Sequence, residues 1–168
     1  MREHAAEGPA PAAVDEAVQS APAPQATLTP SIDSDIKVEV WLPVAGWNGK
    51  LQAVGNGGMA GTIPYPAMAA ALAAGYATAG TDTGHVGNNA EFIPGHPEKL
   101  VDFAYRAVHE MAVHSKAIIA KYYNRPARLS YWNGCSTGGR QGLMAAQKYP
   151  EDFDAIVAGA PANYHTHL

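Results

Sequence analysis

The 168-residue sequence predicts an α/β fold in which a mostly parallel sheet carries helices on both faces. Short runs typical of strands alternate along the chain with longer runs typical of helices, and this alternation favours parallel strands joined by crossover helices. Hydrophobic residues make up 47% of the chain and charged residues 15%, which is enough apolar side chain for a real core.

The N-terminal part is predicted to differ from the rest. Residues 1 to about 30 are rich in alanine and proline and poor in large apolar side chains, a composition typical of flexible or extended segments. We therefore expect residues 1–26 to form a flexible tail and residues 27–168 to belong to one folded domain. Residues 26–28 could pair as an edge strand.

The individual elements follow from local patterns. Residues 36–42 alternate between apolar and more polar side chains, which predicts a half-buried strand. A turn and a second strand at residues 51–54 follow, so these two strands could form a hairpin. The later patterns predict a helix at 67–74, a buried strand at 76–80, a long helix from near residue 100, a strand at 128–132, a helix at 137–149 and a strand at 155–158.

The most informative segment is the junction between the strand at 128–132 and the helix that follows it. Gly134, Ser136 and Gly138 form the pattern Gly-x-Ser-x-Gly there. A serine at such a turn is held in a strained conformation that projects its hydroxyl from the sheet, and glycine on either side avoids a clash of Cβ atoms. The pattern predicts Ser136 as a catalytic nucleophile, with an ordinary glycine-rich turn as the alternative.

The same context predicts groups that would stabilise a negatively charged intermediate. The backbone N–H of Thr137 lies at the start of a helix, whose positive dipole end favours developing negative charge. A second donor is expected from the glycine-rich loop at residues 55–61, where Gly57 and Gly58 are the candidates. A plain turn is the alternative, and a phosphate loop is disfavoured because no Gly-x-Gly-x-x-Gly opens a helix there.

A carboxylate and a histidine should complete the site, following the serine in that order. Three acids follow Ser136, but they are expected at the amino end of the sheet, opposite the serine: Glu151, Asp152 and Asp154. His165 and His167 lie on the correct side, yet no acid follows that could orient them, so a general-base role is not favoured.

The upstream polar residues are expected to serve the structure. His85 follows a strand end, and we expect it to have a hydrogen-bonded structural role or a role beside the substrate. His109 and His114 are predicted to be surface or packing residues on the long helix. Asp82 is predicted to form a turn.

Several segments together resemble the tannase/feruloyl esterase family, which includes the hydrolase of mono(hydroxyethyl) terephthalate. The segments are residues 40–43, 47–50, 55–58, 81–85, 134–140 and 158–162. The Cys-Ser-Thr-Gly-Gly-Arg run within them is specific, and the match covers about residue 27 to the end. The resemblance implies the N-terminal part of a catalytic domain with the α/β-hydrolase fold, from which a lid domain and the C-terminal part are absent.

The resemblance also implies an activity. It is hydrolysis of esters of aromatic (phenolic) acids through an acyl-enzyme on Ser136, with the Thr137 N–H and a glycine of the Gly57–Gly58 pair as oxyanion donors. In the family, the cysteine before the serine forms a disulfide with a cysteine beside the catalytic histidine. Cys135 matches that position and is the chain's one cysteine. Because the acid and histidine would lie beyond Leu168, we expect this chain alone to be weakly active or inactive.

Cofactors and other partners are less strongly indicated. No cofactor or metal site is predicted here, since the calcium site of the family's lid has no counterpart in these residues. The net charge of −4 and the lack of a long apolar run favour neither nucleic acid nor membrane as a partner. The resemblance suggests secretion or a periplasmic location, although no signal peptide is recognisable. The alternatives are a non-catalytic binding module or another α/β-hydrolase activity, such as acyl transfer.

Overall fold

The computed structural model describes residues 22–164, which form a six-stranded sheet in the order β1-β2-β4-β3-β5-β6. The pairs β1–β2 and β2–β4 are antiparallel, whereas β3–β4, β3–β5 and β5–β6 are parallel, so the mostly parallel sheet is confirmed. The strands are β1 Gln25–Leu28, β2 Ile36–Trp41, β3 Lys50–Val54, β4 Ala77–Thr81, β5 Leu129–Cys135 and β6 Ala155–Gly159.

Helices cover both faces of this sheet, as predicted. They are α1 Tyr65–Ala73, α2 Pro97–Val101, a π-helical turn Asp102–Arg106, α3 Ala107–Tyr123 and α4 Thr137–Lys148. One apolar cluster joins the sheet to α3 and α4, and a smaller cluster joins it to α1. Neighbouring residues of β2 belong to different clusters because side chains alternate across a strand: Val40 packs in the first and Trp41 in the second.

The hairpin expected between β2 and β3 is wrong. β4 lies between these two strands and pairs antiparallel with β2 and parallel with β3. The reason is the crossover through α1, which returns the chain to the same edge of β3 and inserts β4 there.

The half-buried character expected of β2 holds at Lys37, which is exposed, but not at Glu39 and Trp41, where the second face is covered. Glu39 and Trp41 are only 5% and 8% exposed. The Trp41 ring stacks on Tyr65 of α1 with a centroid separation of 5.8 Å. The Glu39 carboxylate accepts hydrogen bonds from Trp41 Nε1 at 2.6 Å and from the Tyr65 hydroxyl at 3.1 Å. These bonds satisfy a buried carboxyl group that the alternating pattern had predicted to face water.

The edge strand expected near residue 26 is confirmed as β1, although it begins at Gln25, two residues before the predicted start of the domain. The chain is ordered slightly earlier still, since the N–H groups of Val40 and Leu42 donate to the carbonyls of Pro24 and Pro22. Most of the predicted tail, residues 1–21, lies outside the described residues. Within residues 22–164, none of the helices has the length and apolar character needed to cross a membrane.

Candidate active site

Ser136 is the single residue between the end of β5 and the start of α4. Its backbone has φ 59° and ψ −118°, and the residue is exposed. A non-glycine residue with a positive φ of this kind is strained by about 1–3 kcal/mol and persists only where its surroundings hold it. Three bonds do so here: Ser136 N–H donates to Gly159 O at 3.0 Å, and Ser136 O accepts from Ala162 N–H at 2.9 Å and from Arg140 N–H at 3.0 Å. The sharp strand-to-helix turn expected at this position is therefore present.

The glycines around Ser136 are required by the closeness of three backbones. A Cβ on Gly134 would strike the peptide group of Gly138, and a Cβ on Gly55 would lie 2.5 Å from Gly138 Cα. A Cβ on Gly138 would in turn lie 3.0 Å from Gly55 Cα. The carboxyl ends of β3 and β5 therefore meet the first turn of α4 with no space for a side chain.

The glycine-rich loop lies against the start of α4. Thr137 is buried, and its hydroxyl donates to Gly58 O at 2.7 Å. Gly58 has φ +56°, a conformation that favours glycine, while a Cβ on Gly57 would find nothing within 4 Å. The structure thus brings together the three residues predicted to carry oxyanion donors, and Thr137 is the first residue of its helix, where backbone N–H groups have no intrahelical partner.

These features can be compared with known proteins. The model of the family described as tannase and feruloyl esterase matches residues 25–168. This chain belongs to the tannase and feruloyl esterase family. A probable feruloyl esterase B-2 from Aspergillus terreus is 46% identical to it over 132 residues, which are 79% of the chain and 25% of that relative. The chain therefore spans about a quarter of the length of the curated relatives it matches.

Solved structures agree with the family assignment. The crystal structure of feruloyl esterase B from Aspergillus oryzae matches with a TM-score of 0.81 and 44% identity, over 83% of this chain and 28% of that one. Tannin acyl hydrolase from Aspergillus niger matches with a TM-score of 0.73 and 27% identity, over 84% and 28% of the two chains. The predicted partial α/β-hydrolase fold is thereby confirmed, and the chain's ancestry is that of carboxylic-ester hydrolases.

In this family member, His85 supports the glycine loop. The imidazole is buried, its Nε2 lies 2.7 Å from Met59 O, and its Nδ1 lies 3.2 Å from Thr83 Oγ1. Because a carbonyl oxygen only accepts, Nε2 must carry a proton. The ring stacks on Phe92 with a centroid separation of 3.8 Å. His85 therefore has the hydrogen-bonded structural position that was one of its two expected roles.

Asp82 forms the turn that was expected of it. Its Oδ1 accepts from the N–H groups of Lys37 and Gly84, each at 2.9 Å. Burial raises the pKa of this carboxyl group, and the two backbone hydrogen bonds oppose part of that rise. Both contacts hold the segment that follows β4, so Asp82 serves the backbone conformation there.

The other acids and histidines lie away from Ser136. His109 Nδ1 is 2.8 Å from Asp152, and the Asp154 carboxylate accepts from Ser130 N–H at 2.7 Å, near the beginning of β5. These contacts confirm that the two acids lie at the amino end of the sheet. His114 Nε2 lies 3.6 Å from Glu110 Oε2 on the same helix. His165 and His167 lie outside the described residues.

Sequence reasoning assigned no role to Arg140, which connects α4 to the π-helical turn. Its guanidinium donates to Ala104 O at 2.9 Å and to Phe103 O at 3.2 Å, and it lies 4.9 Å from the centroid of the Phe103 ring. Burial lowers the pKa of this group. In the sequence, only its place in the specific Cys-Ser-Thr-Gly-Gly-Arg run marked Arg140 as important. That run does not indicate which residues the guanidinium contacts.

Two buried amides, Asn56 and Gln141, were also missed. They are hydrogen-bonded to each other across 85 positions of sequence, and no local pattern indicates such a pairing. Cys135 is a free, exposed thiol, so its disulfide stays a prediction. In the described part of the chain, no group of three or more metal-ligating side chains could hold an ion.

Proposed function

We propose that this protein is a carboxylic-ester hydrolase that acts on esters of phenolic acids and uses Ser136 as its nucleophile. Its family membership supports the reaction class, and the names of its relatives, feruloyl esterase and tannin acyl hydrolase, support the substrate class. The observation that carries the assignment of Ser136 is its exposed position at φ 59°, between a parallel strand and a helix N-terminus.

This geometry supports a reaction in two steps through an acyl-enzyme. Ser136 Oγ attacks the ester carbonyl carbon while its proton passes to a general base. The carbonyl oxygen becomes an oxyanion, which accepts hydrogen bonds from the N–H of Thr137 and from the N–H of Gly57 or Gly58. The intermediate then breaks its bond to the alcohol oxygen, which leaves with the proton from the base. Water, activated by the same base, releases the phenolic acid from the acyl-enzyme.

We place the general base outside residues 22–164. Each histidine in that range has another polar partner within the molecule: His85, His96, His109 and His114. Among residues 22–164, no histidine forms a hydrogen bond with Ser136. The described residues therefore supply the nucleophile and the oxyanion donors, and a histidine oriented by a carboxylate has to complete the site.

A serine-directed phosphonate tests the assignment of the nucleophile. In a form of the protein that also contains the general base, we expect a single label, on Ser136, and hydrolysis of methyl ferulate. Ser136→Ala should abolish both the label, read by peptide mass spectrometry, and the turnover. Ser31→Ala, which removes a half-buried hydroxyl that contacts Ser34 and Arg106, should change neither. Labelling at another residue, or hydrolysis that survives Ser136→Ala, would contradict the proposal.

The need for an external base has a separate test. The 168-residue polypeptide alone should hydrolyse methyl ferulate feebly or not at all, because no base contacts Ser136 within residues 22–164. Robust turnover by this polypeptide, abolished by Ser136→Ala, would show that the described residues and their immediate flanks already contain the base.

A further inference from the structure

The buried amide pair beside the glycine loop suggests a role that goes beyond the residues of the reaction itself. We propose that Asn56 and Gln141 are positioning residues, which hold the N–H groups of Gly57 and Gly58 in a fixed relation to the N–H of Thr137. This inference rests on the proposed function, because it concerns the oxyanion donors of that reaction.

The pair is reciprocal and shielded from water. Asn56 N–H donates to Gln141 Oε1 at 3.0 Å, and Gln141 Nε2 donates to Asn56 Oδ1 at 3.0 Å. The two residues are 3% and 1% exposed. A hydrogen bond lost in such a place is not replaced by water, so its removal has a larger effect than on the surface.

The orientation of both amides is determined by their neighbours. Asn56 Nδ2 faces the carbonyls of Thr62 and Thr81, at 2.9 Å and 2.8 Å. Carbonyl oxygens only accept, so Nδ2 must donate to both and Oδ1 must point to Gln141. The Gln141 amide then has to donate from Nε2 and accept through Oε1. No flipped arrangement satisfies these contacts, and the pair has one geometry.

The position of the pair relates it to the oxyanion donors. Gln141 follows Thr137 by four residues in α4, so the two side chains lie on one face of the helix. Asn56 directly precedes Gly57, and Thr137 Oγ1 holds Gly58 O on the other side at 2.7 Å. Gly57 has open space around it and no side chain of its own. Its peptide groups are therefore aligned by the contacts of its two neighbours and by Ala60 N–H, which donates to Gly57 O at 3.1 Å.

Alignment of this kind matters for the reaction because oxyanion donors act by being in place before the charge develops. A loop that had to reorganise during the reaction would lose part of that stabilisation. Misplaced donors should slow the formation of the tetrahedral species more than they weaken substrate binding.

Gln141→Met is the direct test, because methionine has a similar length and removes both hydrogen bonds of the pair. Gln147→Met is the matched control, since Gln147 is an exposed glutamine of the same helix. In the form of the protein that also contains the general base, we expect Gln141→Met to slow phosphonate labelling of Ser136 and to lower kcat for methyl ferulate, each by about 10- to 100-fold. KM should change by less than about threefold. Gln147→Met should match the unaltered protein.

A second variant keeps the test decisive if Gln141→Met does not fold. Protonated glutamate has the shape of glutamine, with one donor and one acceptor, and burial favours the protonated form. Gln141→Glu should therefore resemble the unaltered protein at low pH in the amide resonances of Gly57 and Gly58. Its resonances should diverge as the pH rises and the carboxyl group loses its proton.

The outcomes separate the two proposals. Equal labelling rates for folded Gln141→Met and the unaltered protein would overturn the positioning role while leaving Ser136 as the nucleophile. Resonances of Gln141→Glu that stay like those of the unaltered protein at every pH would overturn it as well. Failure of the unaltered protein to be labelled on Ser136 would remove the proposed function, and the positioning role with it.

Discussion

Glycine serves opposite purposes in the two segments that form the candidate site. At the turn around Ser136, Gly134 and Gly138 are needed because a Cβ would strike neighbouring backbone. In the middle of the glycine-rich loop, Gly57 has open space where a Cβ would lie, and Gly58 is needed for its φ of +56°. Close packing shapes the turn, and backbone freedom shapes the Gly57–Gly58 part of the loop.

The two segments are consequently stabilised in different ways. The turn is held by contact between the backbones of β3, β5 and α4, which leaves no room for adjustment. The loop is held by hydrogen bonds from the side chains of Thr137, His85 and Asn56. We therefore expect substitutions in the turn to affect mainly the stability of the fold, and substitutions in the loop to affect mainly reactivity.

The largest effect is expected for Gly134→Ala, which places a methyl group against the Gly138 peptide. The clash is with backbone, which cannot rotate away, so we expect the free energy of unfolding to fall by about 3 kcal/mol or more. Urea unfolding followed by circular dichroism measures this change. A loss below about 1 kcal/mol would mean that the turn can relax and that close packing does not determine its shape.

An intermediate effect is expected for Thr137→Val, which keeps the side-chain shape but removes the donor to Gly58 O. We expect the free energy of unfolding to fall by about 0.5–1.5 kcal/mol, with faster hydrogen exchange at the Ala60 amide, which donates to Gly57 O at 3.1 Å. Thr137→Ser retains the hydroxyl and should preserve the exchange rate of the unaltered protein. If the valine and serine variants exchange alike, the loop does not depend on this hydrogen bond.

The smallest effect on stability is expected for Gly57→Ala, because its Cβ would meet nothing within 4 Å and its φ is not positive. The free energy of unfolding should change by no more than about 0.5–1 kcal/mol. Gly58→Ala should lower the free energy of unfolding by about 1–2 kcal/mol, because alanine is strained at the φ of +56° found there. Phosphonate labelling of Ser136 should nevertheless slow in Gly57→Ala, because the new methyl group lies beside an oxyanion donor. A Gly57→Ala variant as unstable as Gly134→Ala would remove the distinction between the two segments.

Local features of this molecule were predictable from its sequence. The Gly-x-Ser-x-Gly pattern, a preceding strand and a following helix are set by residues adjacent in the chain, and all three are present around Ser136. Asp82 was recognisable as a turn residue for the same reason, since one of its two hydrogen bonds goes to Gly84. The partner of β2 was predicted wrongly, because it depends on β4, a strand that comes later in the chain.

By itself, the sequence determined where the backbone turns sharply and which reactive hydroxyl stands at that turn, because steric conflicts between neighbouring residues decide such conformations. Only the tertiary structure decided the strand order, the burial of Glu39, the contacts of Arg140 and the pairing of Asn56 with Gln141. Each of these depends on groups far apart in the chain that meet only after α1 and α4 have packed on the sheet. They are stabilised by hydrogen bonds and packing that form only in the folded chain, and a linear pattern of residues carries no record of which groups will be paired.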